Sequence, residues 1–164
     1  MATPEFILDL RARIGHDLLW LPGVTGVVID ADRVLLVRRA DNGRWSLPAG
    51  ILEPGEQPAL GLAREIAEET GVEVAVERLV SLRSLAPHAY PNGDRVQYLD
   101  LAFRCGPVRG EARVNDDETT EVGWFSFDKL PELLDREHAY LTNARQPTAE
   151  PYFAVPATAP DGTA

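Results

Sequence analysis

Residues 50–72, GILEPGEQPALGLAREIAEETGV, decide how the rest of the chain is read. The lead-in and front half hold Pro48, Gly50, Pro54 and Gly55, and breakers clustered in this way specify a loop. The back half fits a helix. Pro58 suits the first turn, where a missing N–H leaves no bond unmade, and Gly71 suits the left-handed position just past the end. At about 100° per residue, Ala59, Leu60, Ala63, Ile66 and Ala67 gather on one side, with Leu62 at the border. Glu65, Glu68 and Glu69 fall in a wedge roughly 100° wide on the other side, with Arg64 at its edge.

Glu65 and Glu69 are an i,i+4 pair, and Glu65 and Glu68 an i,i+3 pair. Without a counter-ion, each like-charged pair destabilises a helix by about 0.2–0.5 kcal/mol. A hard divalent cation reverses that sign, because Mg²⁺ is held by a few carboxylates together with substrate phosphates. A solvated acidic helix face is the plainer account of three glutamates alone.

The loop joined to the helix changes that balance. Gly50, five spacers, Glu56, seven spacers, Arg64-Glu65, an apolar Ile66, any residue, Glu68-Glu69, any residue, Gly71 and an apolar Val72 form one pattern. It resembles the Nudix box of the Nudix hydrolases and fills every specified position of it. The resemblance implies hydrolysis of a nucleoside diphosphate linked to another group X, with water and a divalent metal. By the same resemblance Glu65 and Glu69 are the leading metal ligands, then Glu68, with the Gly50 carbonyl as an additional one. Glu56 and Arg64 are expected to pair and orient the loop against the helix. The general base is left open between Glu65 and a later-loop carboxylate, for which Glu118 is the candidate. Oxygen ligands select Mg²⁺ or Mn²⁺ over zinc, and no His/Cys cluster offers a zinc site.

Arg38, Arg39 and Arg44 lie just before the box and are candidates to clamp phosphates, although exposed strand-end arginines need no explanation. Tyr90, in the PHAYPNGD loop, is a candidate to stack on a base, and Trp45 is expected to pack beneath the loop. His88, nearby, reads as an exposed loop histidine, and His16, His138, Trp20 and Trp124 read as structural. Leu47-Pro48-Ala49-Gly50 resembles the lead-in of relatives acting on ADP-ribose or nucleotide sugars, and Pro87 lies fifteen residues after Val72, close to a proline that marks ADP-ribose hydrolases. ADP-ribose or another nucleotide sugar is the lead for X, and an oxidised nucleoside triphosphate the alternative. Two other classes share this resemblance: a binding-only regulator, which should lack some of the helix carboxylates, and a diphosphate isomerase, which would have to use Cys105.

Composition bounds the rest. With 164 residues, 45% of them hydrophobic, the chain is sized for one domain with a substantial core. Its single cysteine allows no internal disulfide and fits a reducing compartment. No signal sequence or membrane-length apolar run stands out, so a cytoplasmic location is expected. A net charge of −10 argues against a long nucleic acid as partner, while a small nucleotide remains compatible through a bound metal and local arginines.

Along the chain, residues 4–19 show helical spacing that Trp20-Leu21-Pro22-Gly23 breaks. Runs at 24–29 and 34–37 read as a hairpin, 72–85 as one or two strands, 95–105 and 121–125 as strands, and 112–114 as a short strand. Residues 130–134 and 137–144 read as helical segments. Three regions are expected: an N-terminal helical segment 1–22, a catalytic domain 23–145, and a loosely ordered Pro/Ala-rich tail 146–164. The fold expected is α/β (α+β), an α/β/α sandwich with a mixed β-sheet. A homodimer is a further expectation, with the N-terminal segment and the tail as material for its interface.

Overall fold

The computed structural model describes residues 4–155. Helix α1 spans Glu5–Ile14 and is followed by strands β1 (Leu19–Asp30), β2 (Arg33–Arg39), β3 (Trp45–Ser46) and β4 (Ala49–Ile51). Helix α2, Pro58–Thr70, leads to β5 (Glu73–Ser84), β6 (His88–Ala89), β7 (Arg95–Arg109) and β8 (Thr119–Ser126), and α3 closes the fold at Asp135–Ala144.

The sheet is mixed. β1 runs parallel to β7 from Leu19↔Val96 to Val28↔Cys105, and β7 pairs antiparallel with β5 on its other side. The β1–β2 hairpin is held at its tip alone, by Ile29↔Val34 and Asp30↔Arg33. Beyond it the strands part: β1 takes β4, and β2 takes β3 and β8. Residues 45–51 therefore cross from β2 to β1 in the gap between them.

Alternation along β1 sends successive side chains to opposite faces. Val24 and Val28 join Leu35, Leu62, Ile66 and Cys105 beneath α2, while Val27 and Ile29 join Val34, Leu36, Tyr140 and Leu141 beneath α3. The result is the expected α/β/α sandwich with a mixed sheet. Gly26 is required where α2 crosses β1, since a Cβ there would lie 2.6 Å from Ile66 Cδ1. No described helix is long and apolar enough to cross a membrane.

Several element assignments differ from expectation. α1 ends at Ile14, because Gly15 takes φ 57 as its cap. Trp20-Leu21-Pro22-Gly23 is strand rather than a break, paired with Gln97 to Asp100. Ile7 of α1 packs with Leu19, Leu21 and Val96, so α1 joins the core over β1 and β7. Residues 112–114 form no strand, and 130–134 are not helical. Leu130 precedes Pro131, whose ring disfavours helical backbone before it, and Leu130 is extended at ψ 142. In the expected tail, Tyr152 bridges to Ser81 of β5, donating to the Val80 carbonyl and accepting from Leu82 N–H. Residues 156–164 of that tail lie outside the described residues.

Candidate active site

α2 is a well-terminated helix: Pro58 sits in its first turn, and Gly71 caps it at φ 70, donating to the Ala67 carbonyl. Its orientation corrects the face assigned from sequence. Leu62 and Ile66 are fully buried, but Leu60 is 68% exposed, and Glu65 and Glu69 are buried at 2% and 8% exposure. The two carboxylates share the inward side with Leu62 and Ile66, because residues 47–51 lie over them. Ala49 N–H donates to Glu69 Oε2 at 3.3 Å, and Gly50 packs directly on the Glu65 carboxyl. Glu68 stands at the rim, with its side chain 42% exposed.

Arg64 organises the outer side of this pair. Its Nε and Nη2 donate to the two oxygens of Glu56 at 2.8 and 2.9 Å, the bidentate geometry that suits a guanidinium and a carboxylate. Its Nη1 reaches Glu68 Oε2 at 3.2 Å. Glu56 Oε2 also accepts from Glu53 N–H, which ties the loop to α2. The Glu56–Arg64 pair is thus present as expected.

Burial pushes the Glu65 carboxyl up to about 7, against the lowering pull of Arg64, with Glu68 adding repulsion. Burial also pushes Glu69 up to about 8, reinforced by the charges of Asp116 and Glu65 and opposed by the Ala49 N–H and Arg39. Glu65 Oε1 lies 3.1 Å from Arg64 Nη1 but has no hydrogen-bond partner. Two desolvated carboxylates and a backbone loop without room for a side chain fit a hard divalent cation. Among the described residues no group of three or more Asp, Glu, His or Cys side chains is gathered closely enough to hold one alone. Glu65, Glu69, the Gly50 carbonyl and Glu68 are the groups that could contribute.

The three arginines separate. Arg38 pairs with Glu121 and donates to the Gly43 carbonyl, and Arg44 contacts Glu132 at 3.5 Å. The Arg39 pKa is raised by its hydrogen bonds to Asp41, with the charges of Asp41, Tyr90 and Glu69 acting in the same direction. Nε and Nη2 of Arg39 fork onto Asp41 at 2.9 and 2.8 Å. Tyr90 is half-buried beside α1 and β1, with its hydroxyl 3.2 Å from that of Tyr98 and its ring edge-on to His88. Trp45 packs edge-on against Phe125. Glu118 lies in the loop before β8, where its N–H and that of Thr119 donate to Asp116 Oδ1. Asp116, not singled out from sequence, is a loop acid whose charge acts on Glu69 together with that of Glu65; its place in the run Asn115-Asp116-Asp117-Glu118 was the available signal. Cys105 is wholly buried with its thiol pushed up to about 12, which leaves no reactive thiolate for isomerase chemistry.

Comparison with known proteins identifies the family. The family model of the NUDIX domain matches residues 20–144. The chain is 42% identical over 117 residues to a MutT-like protein of Streptomyces ambofaciens, covering 71% of this chain and 70% of that protein. It is 32% identical over 113 residues to an ADP-ribose pyrophosphatase of Methanocaldococcus jannaschii, covering 67% of this chain and 64% of that protein. It spans 54% of the length of the putative ADP-ribose pyrophosphatase YjhB of Bacillus subtilis, at 32% identity over 70% of this chain. Among solved structures, a NUDIX hydrolase from Nitrosomonas europaea superposes with a TM-score of 0.64 at 26% identity, over 82% of this chain and 76% of that one. The chain belongs to the NUDIX family and is a Nudix hydrolase.

Proposed function

We propose that this chain hydrolyses the pyrophosphate bond of a nucleoside diphosphate linked to X, with ADP-ribose or a nucleotide sugar as substrate and Mg²⁺ or Mn²⁺ as cofactor. The reading is carried by the two buried carboxylates, Glu65 and Glu69, pressed against the Ala49–Gly50 backbone. Relatives whose names include ADP-ribose pyrophosphatase support the choice of X. A divalent ion held there supplies neutralisation of the diphosphate charge and activation of water.

The chain's own residues do the rest. Glu65 and Glu69 hold the ion, with Glu68 and the Gly50 carbonyl as further ligands. Arg64, forked onto Glu56, fixes the loop relative to α2 and keeps Glu68 at the rim. Arg39 is the phosphate clamp, and Tyr90 stacks on the base. Glu65 or Glu118 takes the proton from the attacking water. The acting form is a homodimer in the cytoplasm.

A panel of compounds with Mg²⁺, assayed for released nucleoside monophosphate, tests the proposal. Turnover of ADP-ribose or a nucleotide sugar is expected. Faster turnover of an oxidised nucleoside triphosphate would move the chain to a sanitising role. Metal-free binding with no turnover would mark it as a regulator.

A further inference from the structure

Glu137 of α3 is a buried carboxylate that none of the roles above uses; it is 3% exposed. Its Oε2 accepts the Leu134 N–H at 2.8 Å, closing the first turn of the helix. Its Oε1 accepts the Leu47 N–H at 3.3 Å. Leu47 lies between β3 and β4, where no sheet partner serves its N–H, and it opens the run that covers Glu65 and Glu69. Within that run the Pro48 carbonyl accepts the Gly26 N–H at 2.9 Å, and Ala49 donates to Glu69. One side chain therefore joins the opposite helix layer to the backbone that touches the catalytic pair.

We infer that Glu137 is a positioning residue. By fixing Leu47 it sets where the Ala49 N–H and Gly50 meet Glu69 and Glu65. The inference rests on the reading of those two carboxylates as the metal-holding pair. Both oxygens of Glu137 accept N–H groups, so an amide in its place would turn an NH₂ towards one of them.

Glu137→Gln tests this in the full chain, with Glu137→Asp as a second variant that keeps the charge at the helix start but falls short of Leu47. Tyr140→Phe is the control for general loosening of α3, since it removes the 2.7 Å hydrogen bond to Asp100 and leaves both Glu137 hydrogen bonds in place. Three quantities are measured: hydrogen exchange of residues 47–51, Mn²⁺ affinity by calorimetry, and kcat with KM on ADP-ribose. The Glu137 variants should exchange faster across 47–51, and both Mn²⁺ affinity and kcat should fall by about ten-fold. KM should stay within about two-fold, and Tyr140→Phe should leave all three near wild type. Unchanged exchange in 47–51, or equal losses in the control, overturns the inference. Faster exchange and weaker Mn²⁺ binding, in a chain whose wild type hydrolyses no compound of the panel, supports the positioning and overturns the hydrolytic reading alone.

Discussion

Gly50 and Glu65 are packed so closely that a side-chain carbon at position 50 would overlap the Glu65 carboxyl group. The glycine is demanded here by contact, and the contact belongs to the site. Gly50→Ala should therefore cost about 1–3 kcal/mol of stability through overpacking. It should also displace Glu65 and weaken Mn²⁺ binding. Thermal unfolding with and without Mn²⁺ checks both, and wild-type values in each would count against the site as described.

Glu69→Gln keeps the volume of the side chain and removes a charge held in a desolvated place. The fold should persist, since no core contact is lost. kcat should fall at least about 100-fold, because a metal ligand is gone. Circular dichroism and steady-state kinetics together decide; collapse of the fold or near-normal turnover would contradict the assignment.

The pH dependence of stability follows from the same burial. In the unfolded chain these carboxyls ionise near 4.5, whereas in the folded, metal-free chain Glu65 holds its proton to about 7 and Glu69 to about 8. The folded state thus binds more protons across that interval, and the contribution of this pair to stability is full in acid and lost as pH rises through it. A divalent cation, which prefers the ionised form, should offset the loss at the alkaline end. Denaturant midpoints between about pH 5 and pH 9, in chelator and in Mn²⁺, test the sign. A metal-free profile with no decline attributable to Glu69, judged against Glu69→Gln, would contradict it.

Arg39 and Arg38 are neighbours in sequence with different surroundings. Arg39→Ala should raise KM about ten-fold or more with a smaller change in kcat, as expected for one charge-assisted contact to phosphate. Arg38→Ala, which breaks a pair with Glu121, should leave KM near wild type. Equal effects at both positions would remove the distinction.

Much of this site was legible in the chain. Pro58, Gly71 and the spacing from Gly50 to Val72 fixed the loop and the helix, and Glu56 and Arg64 meet as expected. The inward face of α2 was not legible. Three of the five residues used to set it were alanines, whose small apolar surface barely weights a direction, and Leu60 pulled that direction outward. Two buried glutamates defy a hydrophobic pattern, and such local conflicts concentrate at functional sites. Leu130–Leu134 carried helical spacing that Pro131 overrides. Glu137 looked like any charged residue near a helix start, since its second partner, Leu47, is remote in sequence.

The bridge between Tyr152 and Ser81 has a consequence for how molecules of this chain meet. β5 is the last strand of the sheet path, and the main chain of Tyr152 occupies the Val80 carbonyl and the Leu82 N–H on its outer side. A chain cut after Arg145 would lose that cover and leave these two groups open at the sheet edge, where another strand could pair with them. Light scattering of such a truncation should rise with concentration and time, while the full chain stays disperse: the segment around Tyr152 guards the β5 edge against association.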